Sequence, residues 1–185
     1  MWDDLKLRLK IEEGNVGWMY LDSLGLVTVG VGHLLAYAAA AAVLPFMLPS
    51  GDPAGVTAVC AEFNLVRGLA PAMLPGYYEA ATKLRMSQAS IDALLDADLA
   101  SLALALEHRL AGFGGYPGSA QEALLDLGFQ VGPSGLAAKF PKLCAAAEAG
   151  RWRICALECR TPGAADSRNQ ARARLFEQAA TEIST

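Results

Sequence analysis

The sequence predicts an α+β fold that is mostly helical, with a small β-hairpin lobe, a larger helical lobe and a cleft between them. Three observations predict it. Alanine and leucine dominate a chain of 185 residues that is 54% hydrophobic and only 18% charged, which favours helices over an all-β layout. Strand-like composition is confined to Trp18–Val31, on either side of the turn Asp22-Ser23-Leu24-Gly25. No internal repeat or low-complexity linker interrupts the chain, and its length suits one compact domain over 1–185. Within it, 13–33 reads as the hairpin region, 34–85 as an extended helical segment and 86–185 as the helical lobe.

The elements follow in order. Asp3–Glu13 reads as a helix from its leucines and local charge pairs, although Leu5, Leu7, Leu9 and Ile11 alternate. Gly14 and Gly17 end it, and Trp18–Tyr20 and Leu26–Val31 read as the two strands. Gly30 and Gly32 leave the second strand bare, which suits close approach by another element. A helical segment is expected after His33 through Leu44, then a loop over Pro45–Asp52. Asp52 followed by Pro53 reads as an N-cap with proline at the first helical position, opening a helix to about Leu69. Pro71–Tyr78 reads as loop. Ser87 or Ser90 caps a helix that puts Ile91, Leu94, Leu95, Leu99, Leu102 and Leu106 on one face. Ala111–Gly118 is a glycine-rich connector, and Ser119–Gln130 reads as a central helix. Phe140–Ala149 and Arg151–Cys159 form two short helices parted at Gly150. After the turn Thr161-Pro162-Gly163, a last helix runs from Asp166 to about Ile183.

Bulk properties narrow the function. A net charge of −4 gives no basic face for nucleic acid, so attraction to an anionic surface rests on Arg151, Arg153, Arg160, Arg168, Arg172 and Arg174. The most apolar run, Leu34–Leu48, contains Pro45 and falls short of the ~20 residues that span a bilayer. It reads as a buried helix, and no stable membrane insertion is expected. The N-terminal stretch is amphipathic and charged, without the apolar core of a secretory signal. Cys60, Cys144, Cys155 and Cys159 fit neither a zinc site nor a disulfide framework, and read as small buried residues of a reduced protein. No nucleotide or metal motif is present, so no cofactor and no metal are expected; the chain reads as a monomer.

The chemistry concentrates in Glu13–His33, which places the carboxylates of Glu13 and Asp22, the Thr28 hydroxyl and His33 around the hairpin. Two carboxyl groups held apart on rigid elements equip a chain to hydrolyse a glycosidic bond, one protonating the leaving oxygen and one activating a water. That division of labour asks for Glu13 carried as the acid, helped by partial burial, and for Asp22 ionised in a more solvated turn. Glu12 lies about 100° around the helix from Glu13, so the two do not share one cleft.

Glu13, Gly14, Tyr20, Asp22, Gly25, Thr28, Gly30, Gly32 and His33 together resemble the hairpin motif of the phage-type lysozymes, glycoside hydrolase family 24, at ungapped spacing. Weaker similarity resumes over Met86–Asp98, Phe129–Gly132 and Arg151-Trp152, about two thirds of the chain in pieces. The resemblance implies a lysozyme-like fold and a muramidase that cleaves the β-1,4 bond between N-acetylmuramic acid and N-acetylglucosamine with inversion. It implies Glu13 as general acid, Asp22 as the carboxylate that orients or activates the water, and Thr28 as the hydroxyl that holds it. Inversion needs the two carboxyls ~6.5–9.5 Å apart. His33 matches a structural histidine paired with an aspartate on a later helix, and Asp98 falls at that place, so a His33–Asp98 tie between hairpin lobe and helical lobe is expected. Leu34 and Phe129, with the adjoining Gln130, match the saccharide cleft. Trp18, Tyr20 and Trp152 read as core or anchoring aromatics before sugar platforms.

The chain departs from the family in three places. The segment between His33 and Met86 is longer than in the smallest members, making 34–85 a helical insertion. A substrate-contacting asparagine falls near Glu158. The arginine that pairs with the catalytic glutamate falls at Gln170, with Arg168 or Arg172 near the same place. Bacterial peptidoglycan is the implied partner, reached through a phage holin or as the toxin domain of a secreted effector, made in the cytoplasm and acting on the periplasmic wall. In the effector case an immunity protein is expected. The alternatives are a non-catalytic glycan-binding module and a hydrolase of a related glycan such as chitin.

Overall fold

A computed structural model describes residues 2–182. The protein is α+β and mostly helical, with a single three-stranded antiparallel sheet among the described residues. The chain divides into two compact units, Lys6–Asp98 and Met1–Leu5 with Leu99–Thr185.

In the first unit, α1 (Asp3–Glu12) hands over to the sheet through Glu13, whose N–H still closes on the Leu9 carbonyl at 2.8 Å. Gly14 then turns the chain at φ 91°, a left-handed conformation that glycine adopts without penalty. β1 (Val16–Leu21) pairs with β2 (Val27–Gly30), Tyr20 opposite Thr28 and Leu21 opposite Val27. A third strand, β3 (His33–Leu34), pairs back on β2 with Thr28 opposite Leu34 and Val29 opposite His33. Gly30 is bare for the reason its sequence suggests. A Cβ there would meet Ile91 at 3.6 Å and Leu94 at 3.7 Å, both on α5 (Gln88–Glu107).

The 34–85 segment departs most from expectation. The helix expected after His33 through Leu44 is reduced to α2 (Ala38–Ala41), and its expected start at Leu34 belongs to the sheet. Asp52-Pro53 caps nothing. The Asp52 carbonyl accepts the Leu48 N–H and its carboxylate accepts the Ser50 hydroxyl, both at 2.8 Å, and Pro53 bridges to Met47. These contacts close a loop, and α3 (Val56–Arg67) starts after Gly55. The expected loop at Pro71–Tyr78 contains the start of α4 (Pro75–Ala81), with proline in its first turn, where its missing N–H costs nothing. The cap of α5 is Ser87, whose hydroxyl accepts the Ser90 N–H at 3.1 Å. Glu62 on α3 is buried, its carboxylate accepting the backbone N–H of Lys83 and Leu84.

In the second unit a short turn of 3₁₀ helix (Phe113–Gly115) lies inside the glycine-rich connector. It leads to α6 (Gly118–Lys139), which covers the expected Ser119–Gln130 helix and continues past a break at Gly132 (φ 74°, ψ 158°), where Pro133 begins the next turn. α7 (Pro141–Glu148), α8 (Trp152–Glu158) and α9 (Asp166–Glu182) follow, α9 packing on α6 and α8. The expected end of α9 at Ile183 lies outside the described residues. Trp152 is buried and anchors α8, its ring edge-on to Tyr116. All four cysteines are free thiols; Cys155 and Cys159 are buried, whereas Cys60 and Cys144 are half-buried. No described helix is long and apolar enough to cross a membrane.

Candidate active site

The hairpin turn is built around Asp22. Its Oδ1 accepts the backbone N–H of Leu24 at 2.9 Å and of Leu26 at 2.8 Å, and its own N–H donates to the Leu26 carbonyl at 3.0 Å. An aspartate that satisfies the turn backbone in this way holds its carboxylate in one orientation. Among the described residues Oδ2 receives no hydrogen bond, so this oxygen remains able to accept one from a water.

Strand geometry gathers three more side chains beside it. Tyr20 precedes Asp22 by two residues, and such residues share a face. Thr28 lies opposite Tyr20, and Leu34 lies opposite Thr28 on the far side, so all three sit in a row on that face. Thr28 is 2% exposed and its hydroxyl donates to the Leu26 carbonyl at 3.0 Å. With its one proton committed, its oxygen can only accept. Leu34 is 49% exposed, an apolar surface at the edge of the row.

The phenol of Tyr20 reports where the carboxylates are. Burial, then the charge of Asp22, then that of Glu13 push it up to about 12. Both carboxylates therefore bear on one hydroxyl. The sequence offered a signal for this place in Tyr20's two-residue spacing from Asp22, but its bulk marked it first as core.

His33 points the other way, as its neighbour on a two-residue strand must. Its Nδ1 lies 2.9 Å from both oxygens of Asp98. The expected pair is therefore formed, and it lies inside the first unit, joining β3 to α5. Trp18 is likewise engaged structurally: its indole N–H donates to the Pro75 carbonyl at 2.9 Å and the Arg85 guanidinium lies 5.2 Å over its ring.

A search against protein-family models finds no match, and no curated protein matches the sequence. The site rests on its own geometry.

Four sequence-derived residues lie in the second unit. Phe129 and Gln130 are half-buried on α6. Gln130 Oε1 accepts from Arg172 Nη2 at 3.1 Å. Arg168 and Arg172 converge on Asp126, which sequence reasoning missed. Arg168 Nε and Nη2 lie 3.2 and 3.1 Å from Oδ1, and Arg172 Nε and Nη2 lie 2.8 and 2.6 Å from Oδ2. Arg172 Nη1 donates to the Cys159 carbonyl and the Thr161 hydroxyl. Arg172, expected near the catalytic glutamate, thus spends its donors inside the second unit, because a guanidinium 1% exposed requires a partner for each. The available signal was an acid within the apolar run Ala123–Phe129, with two arginines four residues apart on α9. Among the described residues no group of three or more His, Cys, Asp or Glu side chains forms a metal-binding cluster.

Proposed function

We propose that the chain is a lysozyme-like glycoside hydrolase, a muramidase that cleaves the β-1,4 bond between N-acetylmuramic acid and N-acetylglucosamine in bacterial peptidoglycan with inversion. One observation carries the reading: the Asp22 carboxylate is held by the hairpin turn through one oxygen and open at the other, beside a hydroxyl that can only accept. A water between them gives one hydrogen to Asp22 Oδ2 and the other to Thr28 Oγ1. Its lone pair is then directed outward, toward an anomeric carbon. Asp22 takes a proton as the water attacks, and Glu13 donates one to the departing glycosidic oxygen. Tyr20, keeping its proton, is a neutral neighbour to both carboxylates throughout. Leu34 offers an apolar surface beside them for a sugar face. Because the wall lies outside the cytoplasm, delivery through a holin or a secretion machine belongs to this reading, with an immunity protein as partner in the second case.

The test is digestion of purified peptidoglycan by wild type and Glu13→Gln, with products identified by mass spectrometry. The expected products are disaccharide muropeptides with reducible muramic ends, reduced about 10²–10⁴-fold in the mutant digest, the usual contribution of a general acid. Anhydro-muramic products would make the chain a lytic transglycosylase. Sedimentation with the wall and no cleavage by either protein would make it a glycan-binding module.

A further inference from the structure

The second unit holds a cavity of about 450 Å³, lined by none of the residues assigned to hydrolysis. Its walls come from the connector ahead of α6, the end of α7, the start of α8 and the last residue of α9. Tyr116, Pro117 and Trp152 make its apolar side. The two rings lie 5.0 Å apart at 65°, and the Tyr116 hydroxyl is tied back to the Ala111 carbonyl. Glu148 and Glu182 make its acidic side. Each is the final residue of its helix, and neither helix has a basic residue in its last turn. A helix C-terminus is already the negative end of the macrodipole, so both carboxylates stand where a cation is favoured. Glu182 accepts from the Gln178 amide, a neutral donor, at 3.0 Å. Among the described residues no ion pair reaches Glu148. Its charge is felt within the cavity wall: after burial, Glu148 is the next cause that pushes the Tyr116 phenol up to about 12.

A second observation is independent of charge. Trp152 is 3% exposed, yet its indole N–H has no acceptor among the described residues. A buried indole donor normally finds one, and even the half-buried Trp18 has the Pro75 carbonyl. Two carboxylates, an aromatic wall and one spare donor are complementary to a ligand that carries a cation and a carbonyl oxygen. A metal ion would gain nothing from the rings and would be opposed by the N–H. A sugar needs an open ring face to stack on, and the indole is closed off. An ammonium holds its water tightly, whereas a guanidinium is weakly hydrated, stacks on aromatic faces and offers donors to two carboxylates at once. We propose that this cavity binds an arginine side chain of a peptide segment, the guanidinium lying against Tyr116 between Glu148 and Glu182 and a backbone carbonyl of the same segment accepting from Trp152.

The test uses the full chain and a blocked tripeptide, N-acetyl-glycyl-arginyl-glycine amide, whose only charge is the guanidinium. Wild type binds it in calorimetric titration, more weakly as salt rises. The Glu148→Gln/Glu182→Gln double variant binds it about tenfold more weakly. Both side chains are exposed, so an unchanged melting temperature serves as the folding control. The lysyl tripeptide binds several-fold more weakly than the arginyl one. In nitrogen–proton correlation spectra the Trp152 indole resonance is assigned by replacing Trp2 and Trp18 with phenylalanine in turn. It moves downfield with the arginyl tripeptide, as an N–H does on gaining an acceptor, and not with methylguanidinium, which has no carbonyl. Absence of arginyl tripeptide binding, equal binding by the double variant, or an indole resonance that stays in place overturns the proposal. Equal affinity for the lysyl tripeptide overturns it as well. None of these readouts involves peptidoglycan, so each stands whether or not the chain cuts the wall.

Discussion

Asp22 holds the turn through one oxygen, and the proposed function gives the other a second task; substitutions can separate the two. Asparagine keeps a carbonyl oxygen for the Leu24 and Leu26 N–H groups but cannot serve as a base. Asp22→Asn is therefore expected to retain its melting temperature and lose about 10²-fold or more in wall hydrolysis. Asp22→Ala strips the turn of its acceptor and is expected to lose about 1–3 kcal/mol of stability as well, measurable by urea unfolding. If the two variants unfold alike, the turn does not depend on this side chain. Tyr20 supplies a pH test. Its phenol is raised in the folded protein, first by burial and then by the two carboxylates, from the ordinary value of about 10 up to about 12. The unfolded chain then releases that proton at lower pH than the folded one, so stability is full below pH about 10 and falls as pH climbs toward 12. Tyr116 is raised as far, chiefly by burial, and acts in the same direction. Tyr20→Phe should flatten the decline without abolishing it, as read from thermal melts across that alkaline range.

At the scale of elements, the sequence was most legible where one signal dominated. α5 follows from its leucine spacing and its serine cap, α6 from a mostly apolar stretch up to Gln130, and the hairpin from an Asp-to-Gly turn between apolar segments. Legibility failed where pattern length ran out. A strand of two residues has no periodicity to detect, so β3 was absorbed into an expected helix. Asp52-Pro53 has the chemistry of a helix start, but its carbonyl and carboxylate were taken by Leu48 and Ser50. Local propensity lost there to a loop closed through tertiary pairing of Met47 with Pro53 and Arg85. The role of β3 can be tested through His33, its link to α5. Removal of the imidazole leaves the half-buried Asp98 without that partner. His33→Ala is expected to cost about 1–3 kcal/mol, seen as a lower melting temperature. A variant with an unchanged melting temperature and no activity would instead make His33 catalytic.

For the molecule as a whole, the charge count gives little warning of how charge is spent. A net −4 hides a second unit whose two most buried cations share one aspartate. Asp126 is 4% exposed, and its loss would remove the carboxylate that both Arg168 and Arg172 pair with in a low-dielectric interior. Asp126→Ala is expected to destabilise by about 3–5 kcal/mol in denaturant unfolding. A loss below about 1 kcal/mol would mean that water already solvates the pair. No composition rule finds such a group, because the acid belongs to one helix and the arginines to another. In the hairpin, by contrast, strand register places Tyr20, Thr28 and Leu34 in one row, and only the β1–β2 part of that register was legible in the local spacing.

That register bears on how the chain can vary in length. His33 and Leu34 face opposite sides of the sheet, one toward α5 and one toward the row of Tyr20 and Thr28. An extra residue between Gly32 and His33 would shift both by one place, sending the imidazole to the row and leaving the inserted residue against Asp98. A substitution there changes one side chain, whereas an insertion or deletion shifts every residue of the strand. Past Leu35 the chain has left the sheet, and added length costs the row nothing. Added length should therefore be tolerated best just downstream of the third strand.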